Sequence, residues 1–426
     1  MPKRLSIMLL MLPGLLASAQ SLRLTPYRAP SALYLNLDHL YGYNRYEHSR
    51  IEAGLTWVTP NEAAEPRPAS IGQWSLGGYA AYGFKDQGLK YGVAVQLRLP
   101  GQGDVKLRFR AFNDLETAAS RRMGDYSFLS PELNTTFLAS RYVGVKGIRF
   151  DIKVTPRRDW ELSAGALLAW EQYRFNNDGP LYPRLTPDAM PMALPHAAFT
   201  ARADWSRGLA VTATAGVTKG EYVDRNDVPY LRLLAQYDAE PGEFGLHVFG
   251  QAGFVTALAP YSRMFDLSGT AKSGYFFRNT FLTVRPNTFT ANMFAHLCLN
   301  YTPPMPLWEL SWSQPLAFLQ VNAMWGQLFG QDIDGKLHHD GLDLQAPHLG
   351  LLEPAAGFDG LVHWGLIDLG FAVAYQICPF DAPYMNETLT DNFAFTFVAT
   401  LIFEKTPRRV PVTPTQPYQI IPINQL

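Results

Sequence analysis

The feature that most constrains this chain is an alternation of apolar and polar residues that returns over runs of about eight to twelve residues. Successive side chains of an extended strand point to opposite faces, so each run has one apolar and one polar side. Ser49, Ile51, Ala53, Leu55 and Trp57 alternate with His48, Arg50, Glu52 and Thr56. Leu89, Tyr91, Val93, Val95, Leu97 and Leu99 alternate with Lys90, Gln96 and Arg98. Val105, Leu107, Phe109 and Ala111 face away from Lys106, Arg108 and Arg110, and Ile148, Phe150, Ile152 and Val154 from Arg149, Asp151 and Lys153. The rhythm recurs near 160–173, 195–206, 209–218, 228–238, 242–254, 316–329, 366–377 and 391–404, where Phe393, Phe395, Phe397, Ala399, Leu401 and Phe403 form one apolar face. A soluble sandwich also alternates, but seldom at such length. A strand with lipid on one side and a polar lumen on the other accounts for both faces. The expected fold is therefore all-β, a transmembrane antiparallel up-and-down β-barrel.

Turn lengths give the strands a direction. Short turns at 85–88, 156–158, 206–208 and 240–242 are expected at the periplasmic end. The long stretches 58–74, 175–194, 255–287, 331–348 and 379–390 are expected outside the cell. Strict up-and-down order through these ends requires about 16 strands, with one forced into 129–143 and another near 349–363.

The N-terminus reads MPKRLSIMLLMLPGLLASAQ: a basic start, an apolar core and Ala17-Ser18-Ala19 before Gln20. That is the pattern of a secretory signal peptide. No later run reaches the ~18 apolar residues of a membrane helix. The expected organisation is a signal peptide over 1–19, a short periplasmic segment over 20–44, the barrel over 45–404 and a Pro-rich periplasmic tail over 405–426. The expected location is the bacterial cell outer membrane. A formal charge of −1 gives no electrostatic case for nucleic acid. Cys298 and Cys378 lie on separate strands and can form a disulfide only if those strands are neighbours.

The loop 255–287 carries Tyr261, Phe265, Tyr275, Phe276 and Phe277, an apolar load too large to leave in water without a partner. It also carries Arg263, Lys272, Arg278 and Arg285. Both sets are satisfied if the loop folds into the lumen with an arginine against a wall carboxylate, from Glu52, Asp151, Glu161 or Asp204. Arg278 is the expected lid arginine and Arg263 a further candidate, because Arg285 lies too near the next strand. That strand places Phe289, Ala291, Met293, Ala295, Leu297, Leu299 and Tyr301 on one side. Thr288, Thr290, Asn292, His296 and Asn300 fall on the other, where Phe294 and Cys298 break the pattern.

Three other constellations bear on chemistry. Asp332, Asp334, His338 and His339 have ligand-type side chains for calcium or zinc, but their spacing completes no EF-hand, so a hydrated loop without metal is expected. His247 and His296 sit in strands with no serine at a spacing that pairs with them, so no catalytic residue is assigned. Lys106, Arg108, Arg110, Arg149, Lys153 and Arg202 face the lumen, where they either set anion selectivity or, as expected here, pair with Glu52, Asp151, Glu161 and Asp204.

The segments TWV…GGYAAYGFKDQGLKYGVAVQLRL, PYSRMFDLSGT…NTFLTVRPNTFTANMFAHLCLNY and LLEPAAGFDGLVHWGLIDLGFAVAYQI resemble the barrel region of a Bacteroidetes outer-membrane family of unknown function. That family usually carries an N-terminal carboxypeptidase-regulatory-like domain, and its barrel resembles the BamA-like surface-antigen superfamily. The chain departs from the pattern in several places. About twenty-five residues separate the expected signal from the first strand, too few for that domain or a POTRA domain. No arginine of the loop is followed by glycine, and Thr288 and Asn292 stand where the family carries an acidic pair. The resemblance implies a monomeric BamA-like barrel that is structural or associated with outer-membrane assembly or translocation. Its implied partners are outer-membrane lipid, lipopolysaccharide, and periplasmic or outer-membrane proteins, with no cofactor. A passive or substrate-specific channel and an outer-membrane hydrolase are the alternatives.

Overall fold

A computed structural model describes residues 22–25, 30–37, 40–44, 46–59, 72–99, 104–121, 141–157, 159–175, 194–219, 227–240, 245–267, 269–271, 279–285, 288–310, 312–339, 342–364, 367–379, 382 and 392–401. The expected signal peptide and Pro-rich tail therefore lie outside the described residues, as does Arg278. No helix among the described residues is long and apolar enough to cross a membrane.

In chain order the first strands are β1 (Leu22–Arg23), β2 (Ala32–Asn36), β3 (Tyr41–Asn44), β4 (His48–Thr59), β5 (Gln73–Gly83), β6 (Leu89–Leu99) and β7 (Val105–Thr117). There follow β8 (Arg141–Arg157), β9 (Trp160–Phe175), β10 (Leu194–Trp205), β11 (Leu209–Lys219), β12 (Asp227–Ala239) and β13 (Leu246–Val255). The remainder are β14 (Phe265–Asp266), β15 (Thr290–Ala291), β16 (Met293–Tyr301), β17 (Leu316–Gln327), β18 (Lys336–His339), β19 (Leu342–Gln345), β20 (Leu351–Trp364), β21 (Ile367–Tyr375) and β22 (Phe393–Leu401). Eighteen of them form one antiparallel up-and-down sheet, and β14–β15 and β18–β19 are separate hairpin pairs.

β2 and β3 lie along the same edge of β4, as one strand broken at 37–40. With the two-residue β1 set aside, the sheet has the sixteen wall positions expected. Two of the positions differ from the sequence reading. β7 pairs directly with β8 from Lys106↔Lys153 to Thr117↔Tyr142, which leaves no wall position between them; of the expected strand 129–143, residues 129–140 lie outside the described residues and 141–143 begin β8. The missing position is N-terminal instead: Ala32–Asn36 and Tyr41–Asn44, within the stretch 20–44 expected to be a periplasmic segment, pair with β4. The strand near 349–363 is present as β20. Among the described residues no ladder joins the last strand to the first.

This change reverses the first two turns. In an up-and-down sheet every strand flips the end at which the next connection falls. The long connections 118–140, 176–193, 256–292, 328–350 and 376–392 share one end with the turn 84–88. The loop 60–72 lies at the other end, with 158–159, 206–208, 240–245, 302–315 and 365–366. A surplus strand at 129–143 had put 85–88 and 58–74 at the wrong ends.

Outward positions keep large apolar side chains exposed on strand after strand, among them Leu55, Val93, Phe109, Phe150, Leu168, Phe199, Val211, Leu297 and Phe397. Trp57, Trp74, Trp160 and Trp312 are exposed near the short-turn end, the placement that amphipathic indole rings take at a membrane interface. The main buried apolar cluster lies on the inner side. It is built from the lid loop and the inward residues of the wall, including Tyr261, Phe265, Phe281, Leu234 and Phe294. The long strands thus have an apolar outside, while the core is made by chain folded into the lumen.

Candidate functional site

The loop after β13 enters the lumen at once: Val255, Ala259, Tyr261, Met264, Phe265 and Leu267 are all fully buried. Pro260, with φ −63°, leads into a 3-10 turn over Tyr261–Arg263, a geometry that the proline ring pre-sets. β14 then pairs with β15, which ties the outgoing and returning arms together. Backbone bonding to the wall resumes at Asn292, whose carbonyl accepts from the Val255 amide and whose amide donates to the Gln327 carbonyl, so residues 288–291, read from sequence as strand, belong to the lid. Phe294 sits within 4.8 Å of the Phe265 ring, centroid to centroid. A Cβ at Gly253 would collide with both rings, so a glycine is what the wall requires there. The two residues that broke the alternation, Phe294 and Cys298, are inward-facing and buried.

The first arm of the lid is held by charge. Arg263 forms an ion pair with Glu171 of β9, and His196 of β10 lies 2.9 Å from the same carboxylate. Burial alone would push the Arg263 guanidinium down, but the adjacent Glu171 carboxylate outweighs it and holds the group above the ordinary arginine value. The far nitrogen of His196 is 2.7 Å from the Tyr230 hydroxyl. Arg232 donates to the Arg263 carbonyl at 3.0 Å and stacks over Phe265 at 4.4 Å. Arg141 donates to the Tyr261 hydroxyl at 2.9 Å, and the Ser262 amide donates to the Tyr173 hydroxyl at 3.1 Å. The start of the connection after β7 joins in, since the Ala119 amide donates to the Ser262 carbonyl and the Asp266 amide to the Ala119 carbonyl.

The returning arm is held by backbone amides. Glu353 of β20, fully buried, accepts from the amides of Leu282 and Thr283 at 2.9 and 2.8 Å. Asn322 donates to the Thr280 carbonyl at 2.8 Å and to Glu353 at 3.3 Å, and Gln320 also reaches Thr280. A buried carboxylate is tolerable when hydrogen bonds satisfy its lone pairs. The lid therefore spans the lumen, from β8–β12 on one side to β17 and β20 on the other.

A hairpin packs against the lid at the long-loop end. Leu342, Leu344 and Ala346 are buried in the same cluster as Phe265 and Phe289, so the stretch expected to be a hydrated loop packs onto the lid. Its ligand-type residues serve the hairpin. Asp332 accepts from the amides of Asp334 and Lys336, His338 faces Asp343 across the β18–β19 ladder, and His339 bonds the Ala259 carbonyl. Among the described residues no group of three potential ligands gathers into a metal site.

Of the wall carboxylates singled out from sequence, none meets Arg263. Glu52 pairs with Arg50, Asp151 with Arg108 and Arg149, Glu161 with Lys153, and Asp204 with Arg202. These pairs line the lumen between the lid and the short-turn end, except Arg50–Glu52, which also binds Asp114 nearer the long-loop end. The lid partner Glu171 was missed, as were His196, Tyr230 and Glu353. The available signal was the intrusion of Tyr230, Leu234, Phe249, Phe294 and Met324 into the inward phase of their strands. His247 bonds Asp238 at 2.7 Å and His296 lies 3.2 Å from Arg121. Cys298 and Cys378 are not joined.

These features define an up-and-down antiparallel barrel wall plugged by one of its own loops. No family model and no curated protein matches the chain. Solved structures similar to it include BamA from Haemophilus ducreyi lacking POTRA domains 1–3, with TM-score 0.47 and 10% identity over 88% of this chain and 70% of that one. CdiB from Escherichia coli follows with TM-score 0.42 and 12% identity over 88% and 64%, and CdiB from Acinetobacter baumannii with 0.39 and 8% over 87% and 59%. This chain thus spans under two thirds of either CdiB protein.

Proposed function

We propose that this chain is an outer-membrane β-barrel of BamA-like type, structural or associated with outer-membrane assembly or translocation, acting as a monomer among lipid, lipopolysaccharide and protein partners. The observation that supports the reading is the obstructed lumen, in which the described parts of the loop bury Tyr261, Phe265 and Phe281 and are tied to Glu171 on one side and to Glu353 on the other. A solute channel gains nothing from a lumen stopped by fully buried aromatics. A hydrolase needs a paired nucleophile and base, and the inward histidines are engaged by Glu171, Tyr230, Asp238 and Arg121. The apolar outer face supports the membrane location. Deleting residues 262–280 removes the first-arm anchor, and it should raise conductance in planar bilayers sharply while the barrel stays heat-modifiable. A wild-type protein that already conducts freely, unchanged by the deletion, overturns the reading in favour of a channel.

A further inference from the structure

The lumen below the lid differs from the lid seat in one respect that the lid does not explain. On β7 and β8, three successive inward rungs are Lys106↔Lys153, Arg108↔Asp151 and Arg110↔Arg149. Five of these six positions are basic, and two of the rungs set like charges directly opposite, an arrangement that destabilises a sheet. The neighbouring acids neutralise most of them. Asp104 reaches Lys106 at 3.2 Å and Glu161 reaches Lys153 at 2.5 Å. Asp151 gives one oxygen to Arg108 and the other to Arg149, so its two oxygens are both engaged.

Arg110 is left over. Among the described residues it makes no ion pair, and its Nε is buried without a hydrogen-bond partner. Its guanidinium is held 4.3 Å over the Phe112 ring, which fixes the plane of the fork. Glu116, the next inward acid but one on β7, lies six residues further toward the long-loop end. The space is open to solvent: Arg149 and Lys153 are 37% and 41% exposed although they point inward. A pre-oriented guanidinium without a counter-ion, beside a second one, in an accessible lumen is the chemistry of an oxyanion receptor.

We propose that the lumen between the lid and the short-turn end is an anion-binding site centred on Arg110 that takes a phosphate-class oxyanion. The doubled charge of the Arg110–Arg149 rung favours a dianion over a carboxylate, and the planar fork matches two phosphate oxygens. Free phosphate and a phospholipid headgroup share this chemistry.

The test is calorimetric titration of the full chain in zwitterionic detergent with inorganic phosphate and, separately, with a short-chain phosphatidic acid. Saturable binding of either ligand is expected, and the arm that binds names the source. Arg110→Gln should weaken it about tenfold or more, the worth of a charged hydrogen bond. Arg110→Lys should fall between, because it keeps the charge and loses the fork. Arg202→Gln, which removes a cation already paired with Asp204, should leave the affinity within about twofold. Failure of both ligands to saturate overturns the proposal, as does equal affinity of heat-modifiable wild-type and Arg110→Gln protein. If Arg110→Gln does not fold, the same comparison with Arg110→Lys decides.

Discussion

In the lid seat, Glu171 is 9% exposed and meets Arg263; below the lid, Glu161 is 38% exposed and meets Lys153. Both are inward carboxylates on β9, ten residues apart, each paired with one arginine or lysine. They differ in what lies around them. Glu171 and Arg263 are enclosed by His196, Tyr230 and the buried face of the lid, so neither charge has water to fall back on. Lys153 and Glu161 stand in an accessible lumen, where solvent screens the pair and replaces either partner. Burial rather than the ion pair itself decides how much a strand depends on its charges.

The largest effect is expected from Arg263→Leu, which leaves Glu171 uncompensated inside the plug and should cost about 3–5 kcal/mol. Urea titration of the heat-modifiable fraction measures it. Adding Glu171→Gln to Arg263→Leu should recover much of the loss, because the stranded charge is then gone. If it recovers nothing, the lid is held by its apolar contacts and the contrast between the two pairs is false. On the outer face, Phe397→Arg or Val211→Arg should cost ~2–4 kcal/mol near the bilayer midplane. Thr212→Arg, on the inward side of the same strand as Val211, should be mild by the same measurement. Equal effects would mean that the lumen and lipid faces are misassigned. The smallest change is expected from Lys153→Gln, at ~0.2–1 kcal/mol, falling further as salt is raised. A loss approaching that of Arg263→Leu would show that the lower lumen is as dry as the lid seat.

Much of this architecture was legible in the alternation. A run such as Leu89 to Leu99 alternates for longer than a soluble sandwich usually does, and lipid on its apolar side with a polar lumen around Lys90 and Arg98 accounts for both faces. The plug was legible in Tyr261 and Phe265, which are buried in it, while Tyr275, Phe276 and Phe277 lie outside the described residues; its seat was written faintly in Phe294 and Cys298. Strand direction was harder. The weak pattern at 129–143 reads as a wall strand only under strict up-and-down order, while the short β2 and β3 carry too little alternation to register. One error compensated the other in the count and reversed the ends of two turns.

The sequence by itself determined that the chain is all-β, that its strands are two-faced and that one long loop is too apolar to stay in water. These are local consequences of residue periodicity and hydrophobicity, and they need no knowledge of which strands meet. Only the tertiary structure decided that Arg263 meets Glu171, that Glu353 holds the amides of Leu282 and Thr283, and that Arg110 makes no ion pair among the described residues. Those contacts join residues some 70 to 90 positions apart, or depend on a cross-strand register that puts one acid between two arginines. Charge pairing inside a lumen depends on distances of a few ångströms across the wall, and a single sequence carries no record of them.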